Sequence, residues 1–426
     1  MILPEGGKYM PDKVLLSRLK NDIFECRDEV IKLLSKLVSV PSISGDEGEI
    51  QRELYRLFST LNGKTTQIPM KESLRRDPKF ASGNDTSFAG RPQTRFLWPG
   101  LGNGKSLILC AHSDVVEPGD WEDAFKPRVE GDFIYGRGSV DDKYSIVSIY
   151  LTLKVMQKMD LNLAGDLEVH LTNEEEIGMA GALAFVREGF KADGVLILEP
   201  TDHKIYDAHR GCLQFKIEVE GKQAHLGKKR YGVSAIEKAA KIIDALVKYE
   251  DILIEEGRGY PRFESYEYPG QVNIGIIKGG SFFSIVPDAV SMEGGVGFLP
   301  IKTIEDIESD LKKIICEIKD DWIRDHTEIH FNGLKNEPYQ MPEKHPFTLA
   351  LQKTLKSMGR EAEVLGMMAT CDARYYYNQG NMPSIVYGGL NNGQAHSKYE
   401  HACISDILET AIEYAGFIID WCGKSK

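Results

Sequence analysis

Glu174, Glu175 and Glu176 stand side by side in "LEVHLTNEEEIGMAGALAF", directly after Leu167, Val169 and Leu171, which alternate like a half-buried strand. Adjacent carboxylates repel, and like-charge neighbours raise each other's pKa. At an exposed helix start such a run stays solvated, but at the inner end of an apolar strand it calls for cations. The same placement recurs along the chain. "CAHSDVVEPGDW" sets His112 and Asp114 at a strand end, and "GVLILEPTDHK" ends another strand in Glu199. "YGRGSVDDK" puts Asp141 and Asp142 where a helix begins, and "GGLNNGQAHSKYEH" carries His396 in a loop just after "SIVYGG".

Each motif alone has an ordinary structural explanation. His112 and Asp114 suit a hydrogen-bonded pair at a strand end, and Asp141 and Asp142 suit helix caps. The Gly-rich turn before Asp141 lacks the Gly-Lys-Ser/Thr ending that cradles phosphate. Taken together, four strands ending in His or acidic residues indicate one shared site at the carboxyl edge of an open α/β sheet. A two-metal hydrolytic centre needs two imidazoles, terminal carboxylates, a bridging carboxylate and a spare one to carry protons. His112, Asp141, Glu175, Glu176, Glu199 and His396 supply that set, and Asp114 is spaced to fix the imidazole tautomer of His112.

In their order, "AHSDVV", "YGRGSVDDK", "TNEEEIGMAGA", "LEPT", "GKQAH" and "GQAHSKYEH" resemble the zinc-dependent acetylornithine deacetylase, succinyl-diaminopimelate desuccinylase, carboxypeptidase G and aminoacylase family. The likeness spans about residues 38 to 419. It implies two Zn2+ ions, with Co2+ or Mn2+ as alternatives because His and carboxylate ligands separate first-row metals poorly. His112 and Glu199 would hold one ion, Glu176 and His396 the other, with Asp141 bridging and Asp114 orienting His112. Glu175 would be the general base and later return its proton to the leaving amine. A frame shifted by one residue makes Glu174 the base, but the spacing to "GMAGA" favours Glu175, and Glu174 is expected to have no direct role. The resemblance also assigns His225 in "GKQAH" to oxyanion stabilisation in a neighbouring subunit, which implies a homodimer through the lid domain. "TCDARYYY" makes Asp372 and Arg374 candidates for substrate binding or for supporting the site, with a structural Asp–Arg pair as the alternative. His170, His203, His209, His326, His330, His345 and His401 match no ligand position.

Two departures from the family pattern bear on the substrate. Ser284 stands where many relatives carry Asn, and Gly297 where many carry an Arg that pairs with the substrate carboxylate. Either Arg374 or Arg210 supplies that charge, or the substrate has no α-carboxylate. The expected activity is removal of a small acyl group from an N-acyl amine, most like acetylornithine deacetylase. The alternatives are deformylation or deacylation of a non-amino-acid amine such as a heterocyclic aminomethyl compound, then carboxypeptidase or dipeptidase activity. A non-catalytic metal-binding protein comes last, because the ligand set and Glu175 are intact.

The elements that must position these residues follow a βαβα rhythm. Apolar strands at Leu107–Ala111, Leu167–Thr172 and Gly194–Leu198 alternate with helices, which predicts an α/β fold with a mainly parallel, helix-flanked sheet. From Gly211 the order becomes β-α-β-β-α-β, a ferredoxin-like module. The expected division is a discontinuous catalytic domain, 1–210 plus 335–426, interrupted by a lid and dimerisation domain at 211–334. Residues 14–39 read as one helix, and the stretch between Gly63 and Arg95 as an irregular surface excursion. With 52 basic and 64 acidic side chains the net charge is −12, which argues against nucleic acid or an anionic membrane as partner. The expected partner is a small N-acyl molecule. No segment reads as a signal peptide or a membrane span, and seven scattered cysteines read as reduced thiols of a cytoplasmic protein.

Overall fold

A computed structural model describes residues 13–81, 83, 85–390 and 393–425. Its larger sheet has nine strands, in the spatial order Lys64–Ile68, Gln93–Trp98, Leu167–Thr172, Leu107–His112, Val195–Ile197, Ser384–Val386, Ile205–His209 and Tyr339–Gln340, with Val364–Met367 also on Ile205–His209. The centre is parallel: Leu107–His112 pairs in parallel with Leu167–Thr172 and Val195–Ile197, and Ser384–Val386 with Val195–Ile197. Every residue of Leu107–His112 is buried, as a strand covered by helices on both faces must be. Lys143–Lys158 and Ile404–Cys422 pack against each other and against this strand, and their buried faces run along nearly their whole lengths. Parallel strands put their carboxyl ends on one edge, so His112, Thr172 and Ile197 finish side by side there. No helix among the described residues is long and apolar enough to cross a membrane.

The second sheet is wholly antiparallel, in the order Gln271–Gly279, Ala289–Phe298, Gly211–Glu220 and Thr327–His330, with Lys335–Asn336 also on Gly211–Glu220. With helices Ala235–Gly257 and Ile304–Glu317 this is the split βαβ arrangement of the ferredoxin-like module. It has its own core, in which Phe215, Ile217, Ile242, Leu246, Met292 and Leu311 pack together.

Two local expectations fail for reasons of packing. The predicted helix over 14–39 is two helices, Lys13–Phe24 and Arg27–Val38, separated where the Cys26 amide bonds Ile23 O in a tightened turn. The stretch after Gly63 is not a surface excursion throughout. Lys64–Ile68 pairs with Gln93–Trp98, and Met70, Leu74, Ala81, Phe88 and Arg91 are buried. A polar composition hid a segment whose few apolar residues and one arginine turn inward.

The loop after Glu199 is tied to the last helix by charge. His203 donates from Nδ1 to Glu413, at 2.9 Å, and from Nε2 to Asp406, at 2.7 Å. Burial opposes its positive charge, but the two carboxylates overcome that and push its pKa up to about 9. A raised folded-state pKa adds stability that is complete below the unfolded value and lost as pH climbs through the folded one. The stability difference between wild type and His203→Gln is therefore expected to be greatest near pH 6. It should shrink by roughly 3 kcal/mol between pH 6.5 and 10. Urea unfolding across that range measures it; a difference independent of pH would show that His203 is not a charged partner.

Candidate metal centre

Asp141 lies at the centre of the strand-end cluster. Its Oδ1 is 2.9 Å from His112 Nε2, and its Oδ2 is 3.0 Å from His396 Nε2. One carboxylate thus reaches two imidazoles, one through each oxygen. His396 Nε2 also lies 3.0 Å from Glu176 Oε2. On the other side, His112, Glu175 and Glu199 offer ligand atoms within 4.8 Å of one another, as do His112, Asp141 and Glu176. Each group arrives from the carboxyl edge of the large sheet. His112 ends its strand, Glu175 and Glu176 follow Leu167–Thr172, Glu199 follows Val195–Ile197, and Asp141 precedes helix Lys143–Lys158. His396 comes from the loop beyond Ser384–Val386. The backbones beneath are close: a Cβ on Gly388 would lie 2.4 Å from Glu199 O, so only glycine fits there.

The electrostatics show what the cluster needs. Burial, then the Glu199 carboxylate, pushes Glu175 well above the usual range, and burial does the same to Glu199. Glu176 is pushed up to about 7 by burial and Asp141. Asp141 is held low: its burial is outweighed by the hydrogen bonds of His112 and His396. Those bonds to Asp141 and Glu176 push His396 up to about 10. The cluster as it stands therefore binds protons tightly, and divalent cations would take their place. The donor set fits such ions: imidazole and carboxylate atoms about 2 Å from a common zinc stand roughly 3 Å apart. The tautomer of His112 fits too. Its Nδ1 donates to Asp114 O at 3.0 Å, which leaves Nε2 to face Asp141 as a ligand.

Asp114 was expected to orient His112 through its carboxylate, and the structure divides that work differently. The carbonyl takes the imidazole N–H, while the nearer carboxylate oxygen stands 3.6 Å from Nδ1. The carboxylate instead accepts from Glu175 N–H and Glu176 N–H, at 3.0 and 3.2 Å, and from Ser44 Oγ. It orients the glutamate turn. Glu174 points away from the cluster. It is fully buried at a φ of +56° and accepts from Arg91 Nη2, while Arg91 Nη1 donates to Glu47, which also accepts the Glu174 N–H. Sequence reasoning missed Glu47 and Arg91. Their signal was weak, a charge inside "SGDEGE" and another closing a polar stretch.

The remaining candidates take their hydrogen bonds outside the cluster, although the charge of Asp372 acts on Glu175 and Glu199. Asp372 accepts from Thr172 Oγ1 at 2.8 Å, and burial pushes it up to about 6. Arg374, 1% exposed, donates to Gly178 O at 3.2 Å and stacks over Tyr375. The two share no ion pair: Asp372 meets the end of Leu167–Thr172, and Arg374 the turn that follows the three glutamates. His225 is exposed on a loop of the smaller sheet, where its Nδ1 accepts from Gly227 N–H. Among the described residues it shares no hydrogen bond with the cluster. At Gly297 the missing side chain leaves room for Arg210: a Cβ there would lie 2.7 Å from Arg210 Nη1, which donates to Gln271. Of the other histidines, His170 is buried against Tyr376 and Glu168, and His330 pairs with Glu218 and Glu328 on the surface.

Comparison with known proteins places this geometry in context. The model of peptidase family M20/M25/M40 matches residues 108–420. N-formyl-4-amino-5-aminomethyl-2-methylpyrimidine deformylase of Bacillus subtilis is 27% identical over 357 residues, covering 75% of this chain and 80% of its own. Acetylornithine deacetylase of Edwardsiella ictaluri is 26% identical over 403 residues, covering 92% and 98%. A tripeptidase from Staphylococcus aureus shares the fold with a TM-score of 0.73 at 20% identity, over 92% of this chain and 97% of its own.

If cations replace the protons held by Glu175, Glu176, Glu199 and the two histidines, zinc binding must expel them. Titration of cation-free protein with zinc at pH 7 is therefore expected to release several protons per chain. Calorimetry in buffers of different ionisation enthalpy counts them, and Asp141→Asn should lower the zinc affinity at least tenfold. Binding with no buffer dependence would mean that the ions go elsewhere.

Proposed function

The chain belongs to peptidase family M20/M25/M40, and from that membership we propose a cytoplasmic, dinuclear zinc-dependent amidohydrolase that removes a small acyl group from an N-acyl amine, most like acetylornithine deacetylase. As a family member it is a metal-binding hydrolase of amide bonds. The observation that carries the finer reading is Asp141, one carboxylate reaching His112 and His396 through its two oxygens, with Glu175, Glu176 and Glu199 around it. In this reading His112 and Glu199 hold one ion, Glu176 and His396 the other, and Asp141 bridges them. Two zinc ions bound there would polarise the scissile carbonyl and make water nucleophilic near neutral pH.

The remaining work falls to side chains. Glu175, kept proton-hungry by burial and by Glu199, takes the proton of the attacking water and passes it to the leaving nitrogen. Asp114 holds Glu175 and Glu176 in place through their amides. Residues 211–334 serve as lid and dimerisation domain on a catalytic domain built from 1–210 and 335–426. Supporting a homodimer, the strand Gln271–Gly279 lies at a sheet edge with Ile277 53% exposed, and Phe283 nearby is 86% exposed. His225 of one subunit would then donate to the oxyanion in the other's site. The cytoplasmic assignment rests on seven cysteines, none in a disulfide.

A second reading, deformylation of a heterocyclic aminomethyl compound, is favoured by Gly297 and by the likeness to the Bacillus subtilis deformylase. Arg210 separates the two. Seated against Gly297, it offers a cation for a substrate carboxylate, and a neutral heterocycle has no use for it. Arg210→Met should therefore raise KM for an N-acetyl amino acid at least tenfold if the first reading holds, and leave KM for a neutral N-formyl aminomethylpyrimidine unchanged.

The direct test is amine release by zinc-reconstituted protein from N-acetyl, N-succinyl and N-formyl amines and dipeptides, with a chelator control. Chelator-sensitive release from an N-acyl amine is expected. Glu175→Gln should abolish it while keeping both metals, and His225→Ala should abolish it as well. Mixing the two variants should restore about a quarter of the wild-type rate, because half the dimers then hold one intact site of two. No recovery on mixing would remove the shared site. No release from any substrate, with two metals bound, would overturn the activity.

A further inference from the structure

His396 is an unusual group to entrust with a metal. Its side chain is 51% exposed, so packing does not fix it, and its backbone sits in the left-handed region at a φ of +63°. Its aim therefore depends on what holds the main chain of its loop. One buried side chain does so. Arg137, 2% exposed, donates from Nη2 to His396 O at 3.2 Å and from Nη1 to Glu400 Oε2 at 2.5 Å. Glu400 is fully buried, and its other oxygen accepts from Val140 N–H at 3.0 Å and Asp141 N–H at 3.3 Å. The main chain closes the same circuit, since Gly136 N–H donates to Glu400 O.

A single ion pair thus links the backbones of two residues from distant parts of the sequence, Asp141 and His396, whose side chains meet 3.0 Å apart. Other clamps serve the rest of the cluster: Asp114 takes the amides of Glu175 and Glu176, and Arg91 with Glu47 holds Glu174. None of these touches His396. The planar fork of Arg137 is what lets one side chain reach a carboxylate and a carbonyl at once, and a lysine ammonium on a flexible stem has no such fork.

We propose that Arg137 and Glu400 are positioning residues that set His396 against Asp141, and so hold the metal position of Glu176 and His396 more firmly than its neighbour. This rests on the assignment of His396 and Asp141 as ligands in the proposed function. Loss of the pair should loosen the ion held by Glu176 and His396 more than the one held by His112 and Glu199, because both share Asp141 but only the first depends on His396.

The test uses full-length Arg137→Lys, which keeps the charge but not the fork, and Glu400→Gln, which is nearly isosteric, with circular dichroism as the check on folding. Zinc affinities come from competition with a chromophoric chelator on cation-free protein. Hydrogen exchange of residues 136–142 and 394–401 is followed on the same samples. One zinc should bind 10–100-fold more weakly in each variant and the other with a clearly smaller loss, with exchange faster in those two segments. Should both affinities and both exchange profiles match wild type, the pair has no positioning role. Equal weakening of both ions, or exchange raised throughout the larger core, would also overturn the proposal in favour of general stability. If wild type binds no zinc yet the variants still exchange faster at those two segments alone, the metal assignment fails while the hold on the two turns stands.

Discussion

Mutual repulsion among carboxylates held out of water is the constraint from which the rest of this structure follows. Asp141, Glu175, Glu176 and Glu199 converge in a space where burial first, and neighbouring carboxylates after it, raise three of them above their ordinary range. Left to themselves they would splay apart or keep their protons. The fold prevents the first by fixing main chain, not side chain. Asp114 takes two consecutive amides of the glutamate turn, and Arg91 pairs with both Glu174 and Glu47 behind it. Buried pairs of this kind stabilise only modestly in net terms, but removing one partner costs about 3–5 kcal/mol because it strands the other charge. Their value here is that they cannot easily rearrange.

Strain is placed where the charges are. Glu174, Met179, His203, Leu390 and His396 all take positive φ without being glycine, and each lies in a turn that ends or flanks a ligand-bearing strand. Such conformations persist only where surrounding contacts determine them fully. The parallel centre of the sheet supplies that rigidity, since its strands are buried on both faces and stop together at one edge. The chain then bends sharply off that edge several times to bring ligands back over the same spot.

What the sequence made legible divides along the same line. Strand ends and their charged residues were visible because they are local: an apolar run followed by His112, by Glu174–Glu176 or by Glu199 announces itself. The two sheets, the βαβα rhythm and the ferredoxin-like order were visible for the same reason. The supporting residues were not. Arg137 and Glu400 are separated by more than half the chain, and Arg91 lies in a stretch whose composition resembles a solvated loop. Nothing in their immediate neighbours distinguishes a buried arginine from an exposed one. Asp114 is intermediate: its nearness to His112 suggested a carboxylate–imidazole contact, whereas the preferred geometry uses the carbonyl for the ring and spends the carboxylate on backbone amides. The helix over 14–39 failed differently, since apolar periodicity continues across Cys26 although the backbone does not.

The separation of the two sheets explains how such a site can change substrate without losing its chemistry. Every carboxylate and imidazole of the cluster comes from the larger sheet, and none of their clamps reaches residues 211–334. Gly297 belongs to the smaller sheet and Arg210 to the crossing between the two, against that sheet's edge. In the proposed reading Arg210, seated where a side chain at position 297 would lie, faces the substrate and stands away from the buried charges. His225 and the exposed apolar residues of the edge strand lie on the same smaller unit. In the proposed reading, selection and subunit pairing evolve on one core while proton transfer and metal binding are kept on the other. A residue that matters to both must then lie at the crossing, where Arg210 stands and Asp207 pairs with Arg262.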